Sequence, residues 1–336
     1  MRVPVSNLFA SDVITERDAA LPPLRIGYAR TGAAEILCEP NVLAAIGFSG
    51  VGNGGIDDPR WLSVGLDAVG ASAIEVWRGN GPIQSGRDGR VRWSRDDDYG
   101  FFAIEVEEAG GDIAAAAEVA YRELVALIHR SATPHVLRLW NYFDAINEGD
   151  GDDERYRRFC VGRARGMADL WHDRYPAATA IGRRDGVRVL QVYALAARIA
   201  GLPVENPRQV NAWRYPREYG PTPPTFARGM TTPAGQLLIS GTAAVVGSAS
   251  RHHEDVAAQL DETLTNVESL IQSAHVNGAK APGAGSVLKV YVRDANDAPL
   301  VVAKLSEAMR DADGILVLRG DICRRELLVE IDGVHT

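Results

Sequence analysis

Cysteine is scarce in this chain. Its 336 residues include three cysteines, Cys38, Cys160 and Cys323, which lie far apart in the sequence. An odd and dispersed set argues against a disulfide framework and lacks the paired spacing of a structural zinc site. The cysteines therefore predict a protein of the reducing cytoplasm with no bound metal.

Long apolar runs and excess positive charge are also missing. No stretch approaches the roughly 18 consecutive apolar residues of a membrane span, and the first residues lack the apolar run of a signal peptide. The net charge of −8 argues against a nucleic-acid coat. The composition, 46% hydrophobic and 24% charged, is that of one large globular domain or two ordinary ones. A local basic pocket for an acidic ligand is compatible with this average.

Familiar cofactor and nucleophile signatures are absent as well. The chain has no G-x-S-x-G elbow, no P-loop and no paired C-x-x-C. The segment His252–Glu254 lacks the i, i+4 histidine pair of a helical zinc site. The acidic stretch 147–154 lacks the ligand spacing of a calcium loop, so it predicts a polar linker.

One glycine-rich segment, Gly50–Gly55, does match G-x-G-x-x-G, and Glu75 follows about twenty residues later. That pattern supports the hypothesis of a nucleotide-dependent oxidoreductase. Against it, Ile56–Pro59 would delay the helix that should hold the phosphate, and Glu75 lies inside a strand rather than at its end. We favour a plain loop.

Apolar periodicity predicts sheets covered by helices. Strands are expected at 23–29, 35–37, 73–77, 101–106, 136–140, 210–215, 236–240, 287–292, 314–319 and 326–331, and helices at about 112–130, 153–174, 252–275 and 297–310. This order predicts the α+β class, with two similar sheet-and-helix halves at 1–150 and 151–336. Helices should stack on one face of each sheet, and a ligand cleft is expected where the halves meet.

Arginine and tyrosine cluster in the segment Asn206–Gly220, which holds Arg208, Arg214, Arg217, Tyr215 and Tyr219, and Arg228 follows. Arginine forks bind carboxylates bidentately, and tyrosine hydroxyls add oriented donors. A solvated rim is the alternative. The aromatic content of the segment favours a binding site.

The C-terminal residues 318–332 predict a strand on which Val329 and Ile331 alternate with Glu330 and Asp332. Arg319, Arg324 and Arg325 lie just upstream, around Cys323. A carboxyl group on such a strand, beside cations, suits a general acid facing an anionic substrate. The alternative is an edge strand with an exposed glutamate and solvated arginines.

Four stretches together resemble the chorismatase family, whose C-terminal half is similar to the YjgF/RidA fold. They are Arg155–Arg163 around Phe159 and Cys160, Asn206–Arg217 with Tyr219–Pro221, Ile239–Ala243, and Arg319–Ile331. The resemblance extends over most of the chain. The arginine that RidA proteins carry before the preceding strand has no counterpart at Ala312 and Asp313, so a RidA-type imine deaminase is not expected.

The resemblance implies an enzyme that acts on chorismate, releases pyruvate and needs no cofactor. It implies Glu330 as the acid and Cys323 as a residue of the branch that forms 3-hydroxybenzoate. Substrate carboxylates would contact Arg163, Arg214, Arg228, Tyr215 and Tyr219. The Ser240, Gly241, Thr242 and Ala243 segment would complete the pocket, with a turn at Ser240–Thr242 that offers backbone N–H groups.

Two branches stay open at this point. One forms 3-hydroxybenzoate, which we favour, and the other hydrolyses chorismate to a dihydroxycyclohexadiene carboxylate. A non-catalytic module that binds a small carboxylic acid is a third hypothesis. The sequence leaves the oligomeric state and the pathway undetermined.

Overall fold

The computed structural model describes residues 21–49, 55–167, 174–279, 285–309 and 312–336. Two large sheets, packed face to face, dominate this part of the chain. Helices cover the outer face of each sheet. The α+β class and the stacking of helices on one face of each sheet are confirmed.

The helices and strands have the following bounds. The helices are α1 (Ala33–Leu37), α2 (Ile113–His129), α3 (Arg155–Met167), α4 (Val256–Val276) and α5 (Ala298–Ala308). The strands are β1 (Arg25–Ala29), β2 (Val42–Ser49), β3 (Trp61–Ala68), β4 (Ile74–Arg78), β5 (Gln84–Asp88), β6 (Val91–Arg95), β7 (Tyr99–Glu107), β8 (His135–Asp144), β9 (Ala177–Arg183), β10 (Val189–Ala197), β11 (Leu202–Val204), β12 (Gly229–Thr231), β13 (Leu237–Ala243), β14 (Val245–Val246), β15 (Ala249–Ser250), β16 (Ser286–Val292), β17 (Gly314–Arg319), β18 (Asp321–Ile322) and β19 (Val329–His335).

Each large sheet combines strands from distant parts of the chain. Within the described ranges, one sheet has the order β1-β4-β2-β3-β17-β16-β19-β13-β12-β11, and the other has the order β18-β9-β8-β10-β7-β6-β5. Strands β8 and β9, β2 and β3, and β16 and β17 pair in parallel. Both sheets therefore take strands from either side of residue 150. The boundary at that residue, and the RidA likeness of the part that follows it, stay predictions.

The core has an inner layer between the sheets and outer layers under the helices. Trp77, Phe101, Trp140, Tyr193 and Leu238 belong to the inner layer. Apolar residues of α2 and α3 cover the seven-stranded sheet, and those of α4 and α5 cover the β16–β19 region. Alternation along each strand supplies both layers, because successive side chains point to opposite faces.

Helix α3 lies unusually close to helix α2. A methyl group at Gly162 of α3 would overlap the Ala114 carbonyl oxygen of α2. The absence of a side chain at Gly162 lets the two helix backbones approach each other closely. The Asp112 side chain accepts hydrogen bonds from the N–H groups of Ala114 and Ala115 and so fixes the start of α2.

Some local predictions were wrong. Residues 35–37 belong to helix α1 and not to a strand, and the strand predicted at 210–215 is replaced by a 3-10 turn at Ala212–Arg214. Among the strands of five or more residues, the predicted set omitted β2, β3, β5, β6, β9 and β10. Residues 50–54 of the G-x-G-x-x-G motif and residues 168–173 of the helix predicted at 153–174 lie outside the described residues. Across the described ranges, the helices are all too short or too polar to cross a bilayer.

Candidate active site

Glu330 occupies a strand in the interior of the ten-stranded sheet. Strand β19 pairs with β13 on one side and β16 on the other. Val329 and Ile331 point into the outer core under α4, whereas Glu330 faces the seven-stranded sheet and is 4% exposed. The predicted alternation is confirmed. The alternative of an exposed edge strand is wrong.

A bulge in β13 creates space for this carboxyl group. The pairing of β13 with β19 shifts register between Ile239 and Thr242. Gly241 lies in the bulge, and a methyl group there would overlap Glu330 Oε1 and lie 2.9 Å from Glu330 Cδ. The segment predicted as a turn at Ser240–Thr242 is thus a bulged strand, and glycine is needed for close approach rather than for chain reversal.

Ser240 and Thr242 serve the backbone around the bulge. The Ser240 hydroxyl donates to the Ala227 carbonyl (2.6 Å) and accepts from the Ala178 N–H (3.0 Å). The Thr242 hydroxyl donates to the Ser240 carbonyl (2.8 Å). Both side chains are buried, and the bond from the Ala178 N–H of β9 to Ser240 of β13 joins the two sheets beside Glu330.

The Glu330 carboxyl group has an unusual acidity. Burial, reinforced by the negative charge of Asp332, raises its pKa from 4.5 to about 8, against the opposing charges of Arg138, Arg228 and Arg293. Removing water disfavours the ionised carboxylate most strongly. At neutral pH the group therefore retains its proton and can donate it.

Arg163 and Arg228 provide buried positive charge near this acid. Arg163 donates through Nη2 to the Thr225 carbonyl (2.9 Å), and Arg228 donates through Nη2 to the Val210 carbonyl (2.9 Å) and to the Tyr215 hydroxyl. They are 3% and 5% exposed. Their Nε–H groups have no partner among the described residues. Buried donors without partners are rare, which makes these two groups candidates for contact with an anion.

The segment 205–228, which we call the strap, closes one side of the site. Tyr215 and Tyr219 lie on it with ring centroids 5.3 Å apart. The Arg324 guanidinium lies 5.0 Å from the Tyr215 ring and 4.0 Å from the Tyr219 ring. Cation–π contacts of this kind favour a cation held over an aromatic face. They fix Arg324 to the strap at the mouth of the site.

Arg214 does not join this group. It is exposed, its guanidinium stacks 4.5 Å from the Trp213 ring, and it does not line the cavity beside Glu330. Arg214 therefore lies on a solvated rim, which was the alternative interpretation of the arginine and tyrosine cluster. The structure therefore gives no support to a contact between Arg214 and a bound anion.

A cavity of about 410 Å³ opens beside Glu330. This volume is within the usual range for small-molecule sites. Of the predicted site residues, Tyr215, Tyr219, Arg228, Gly241, Ala243, Cys323 and Glu330 line it. Charged side chains of both signs surround its mouth: Asp150, Glu154, Arg157, Glu218, Arg325 and Glu326.

A smaller cavity of about 30 Å³ adjoins Glu330, Gly241, Cys323 and Arg163. It has room for one water molecule. Burial raises the pKa of the Cys323 thiol well above its ordinary value. Cys323 therefore stays a neutral thiol, which does not suit it to act as a thiolate nucleophile.

Sequence reasoning missed several lining residues. Tyr156 of α3 and Phe226 of the strap line both cavities, Arg324 lines the larger one, and Thr179 of β9 lines the smaller one. Arg324 was noted as an upstream cation without a role. Tyr156 lay inside a stretch already singled out, one residue from Arg155, but a tyrosine on an amphipathic helix is indistinguishable from a core residue in the sequence.

Comparisons with known proteins agree with this geometry. A family model described as "Chorismatase FkbO/Hyg5-like, N-terminal" matches residues 75–196. The chain is 38% identical to a chorismatase of Streptomyces rapamycinicus, over 78% of this chain and 82% of that protein. It is 34% identical to a 3-hydroxybenzoate synthase of Streptomyces hygroscopicus, over 88% and 91%. A crystal structure of a chorismatase superimposes with a TM-score of 0.82 at 30% identity, covering 94% of this chain and 99% of the other.

Proposed function

This chain belongs to the chorismatase family, and from that premise we propose that it cleaves chorismate to pyruvate and 3-hydroxybenzoate. The observation that carries the proposal is the buried Glu330 carboxyl group, which burial keeps protonated at neutral pH at the base of a cavity of substrate size. A relative named as a 3-hydroxybenzoate synthase supports the branch.

The two carboxylates of chorismate require cations. Arg163 and Arg228 are buried, and each has an unpartnered Nε–H group. The Tyr215 hydroxyl, which accepts from Arg228, and the Tyr219 hydroxyl are further donors that line the larger cavity with Arg228. Arg163 adjoins the smaller cavity beside Glu330. Charge-assisted hydrogen bonds from such groups would hold the substrate with its enol ether toward Glu330.

Proton transfer from Glu330 starts the reaction. The proton goes to the terminal methylene carbon of the enolpyruvyl group, which becomes a methyl group, and the adjacent carbon becomes an oxocarbenium ion. Protonation of carbon is slow, so a positioned acid contributes about 10²–10⁴-fold. The Glu330 carboxylate left behind is negative and stabilises the cation that it has just created.

The fate of the oxocarbenium ion decides the product. If the neighbouring ring hydroxyl displaces the activated side chain, pyruvate leaves and the ring aromatises to 3-hydroxybenzoate, and the proton lost from the ring restores Glu330. If water attacks instead, the hemiketal collapses to pyruvate and the diene-diol. The first route consumes no water and the second consumes one molecule. The pocket selects by the ring pose and by access of water.

The test is incubation with chorismate, with pyruvate measured by coupled lactate dehydrogenase and the ring product identified by mass and ultraviolet spectrum. One equivalent each of pyruvate and 3-hydroxybenzoate is expected. Pyruvate with only the diene-diol would support the hydrolytic alternative. Binding of chorismate without pyruvate release would support the non-catalytic module.

The Arg228→Met variant should raise KM for chorismate by about 10–100-fold, since one carboxylate loses a charge-assisted bond worth about 1.5–3 kcal/mol. Methionine keeps the apolar stem of the side chain. The matched control is Arg214→Met on the exposed side of the strap, for which KM should stay within about twofold of the wild-type value. If Arg214→Met raises KM as much as Arg228→Met does, the strap turns Arg214 inward during binding.

The branch should depend on Cys323 and Ala243, since both routes share the same proton transfer. The Cys323→Ala variant enlarges the water-sized cavity and should raise the share of diene-diol. The Ala243→Val variant should also change the product ratio, because a displacement of around 1 Å alters rates by about 10²-fold. Cys160→Ala, a buried thiol that does not line either cavity, is the control. A fixed ratio with only a lower overall rate would contradict this assignment.

A further inference from the structure

Four charged side chains are buried between the two sheets, away from both cavities. They are Glu75 of β4, Arg138 of β8, Lys289 of β16 and Asp332 of β19, which are 3%, 0%, 2% and 0% exposed. Two carry negative charge and two carry positive charge, so the cluster is balanced. Two apolar surfaces would pack at least as well here, because buried ion pairs add little to stability.

Direct contacts join the four groups. Lys289 Nζ lies 2.6 Å from Glu75 Oε2 and 3.9 Å from Asp332 Oδ1. Arg138 Nη2 lies 3.3 Å from Asp332 Oδ2, and Arg138 Nη1 donates to the Gly333 carbonyl (2.9 Å). Tyr291 donates to Asp332 Oδ2 (2.9 Å). Asp332 is therefore the carboxylate on which both cations converge.

The cluster reaches Glu330 by two short routes. Asp332 is two residues beyond Glu330 on β19, so the two carboxyl groups share one face of the strand. Arg138 Nη2 also donates to Thr179 Oγ1 (3.0 Å). Thr179 lines the small cavity together with Glu330. Asp332 and Arg138 thus lie directly behind the acid, although neither touches the cavity.

We propose that Asp332 is a positioning residue for the reaction: it neutralises Arg138 and holds that guanidinium on Thr179, so that Glu330 stays in its protonated, donating form. This inference rests on the proposed function of Glu330 as the acid. Without Asp332, a fully buried guanidinium would face Glu330 with no counter-charge and would favour its carboxylate.

The other groups around Glu330 make this balance delicate. Arg228 ahead of β12 and Arg293 beyond β16 favour the carboxylate, as Arg138 of β8 does. Burial and Asp332 oppose these three arginines. Cys323 after β18 and Tyr156 of α3 also face the acid, and the pKa of each is raised by burial, so both are neutral. Arg163 of α3 borders the same small cavity and adds a further positive charge. Asp332 is the one negative side chain in this set.

The test measures two quantities as a function of pH. The first is kcat. The second is the infrared band of the protonated Glu330 carboxyl group, which is assigned by its absence from Glu330→Gln. In the wild type, both should decline as the pH passes about 8. Asp332→Asn should move both declines to lower pH by about one pH unit, and Arg138→Met should move them to higher pH. We follow kcat rather than kcat/KM, because kcat/KM also reports groups that titrate in the free enzyme. Glu205 is such a group: burial raises its pKa to about 7, and it contacts Arg228.

Glu75→Gln is the matched control. It removes a carboxylate from the same cluster at Lys289, on the side away from Glu330, and should leave the position of the decline unchanged. A fall in kcat at every pH with the decline unmoved in Asp332→Asn would overturn the inference, as would an equal displacement in Glu75→Gln. If Asp332→Asn fails to fold, the displacement in Arg138→Met decides, and its absence overturns the inference.

The two readouts separate this inference from the proposed function. A wild-type carboxyl band that titrates near pH 8 without any release of pyruvate would refute the function alone. Pyruvate release whose pH profile is insensitive to Asp332 would refute the inference alone.

Discussion

Glu330→Gln is expected to abolish pyruvate release, by at least about 10²–10⁴-fold, while chorismate still binds. Glutamine keeps the shape of the side chain and fits opposite Gly241, but it has no proton to transfer. Arg163 and Arg228 are unaltered, so the contacts with the substrate carboxylates persist. Single-turnover kinetics and equilibrium binding measure the two effects separately.

The same variant should be more stable than the wild type at neutral pH. The pKa of Glu330 in the folded protein is about 8, raised from 4.5, so folding takes up a proton at pH 7. Stability linked to this group is present below pH 4.5 and is lost as the pH rises toward 8. At pH 7 the loss amounts to about 3 kcal/mol, at 1.36 kcal/mol per pH unit. Glutamine does not ionise and avoids that cost.

Thermal unfolding at pH 5 and pH 7.5 measures this effect. The gain from Glu330→Gln should be large at pH 7.5 and below about 1 kcal/mol at pH 5. Glu326→Gln, at the mouth of the cavity, is the control and should change neither stability nor turnover strongly. Normal pyruvate release by Glu330→Gln would refute its role as the acid, and an equal stability gain at both pH values would refute its raised pKa.

Gly241→Ala should lower kcat by about 10²-fold with little loss of fold. A methyl group in the β13 bulge overlaps Glu330 Oε1, which is the end of a flexible side chain and not backbone. The carboxyl group must therefore move by about 1 Å, and misplacement on that scale has an effect of this size. KM should change less than kcat, because Arg163 and Arg228 are not displaced.

Gly27→Ala in β1 is the matched control for glycine replacement within a strand. A methyl group at Gly27 meets no atom within 4 Å, so kcat should be unaffected. If Gly241→Ala retains full activity, Glu330 donates its proton from a different rotamer than the one described. If Gly241→Ala fails to fold, the bulge is needed for the stability of the sheet, and a role in placing Glu330 is not supported.

Some helices and strands of this fold can be predicted from the sequence, and others cannot. Strand β19 is predictable because Val329 and Ile331 need burial while Glu330 faces the other side. Long helices such as α2 are predictable from their capping residue and apolar face. By contrast, 210–215 has aromatic residues typical of a strand, yet the strap turns there because its side chains pack on the site rather than in a sheet.

The site itself depends on contacts that no local pattern contains. The sequence does not distinguish Arg214 from Arg228, since both are arginines in or next to one cluster. Tertiary packing exposes Arg214 and buries Arg228. The buried cluster of Glu75, Arg138, Lys289 and Asp332 could have been predicted in part from the sequence. Arg138 and Lys289 each stand in the middle of an apolar strand, where a charge must find a partner between the sheets.

The central place of β19 also bears on how the protein acquires its fold. This strand separates β13 from β16, so both of those strands have an unpaired edge until β19 inserts. Open edges invite pairing with other chains, and sheet contacts between residues so distant in sequence form slowly. Chaperone dependence and losses to aggregation during refolding should be greatest before β19 docks. Enzymatic activity should return at that step, because the strand that closes the sheet also carries Glu330, the proposed acid.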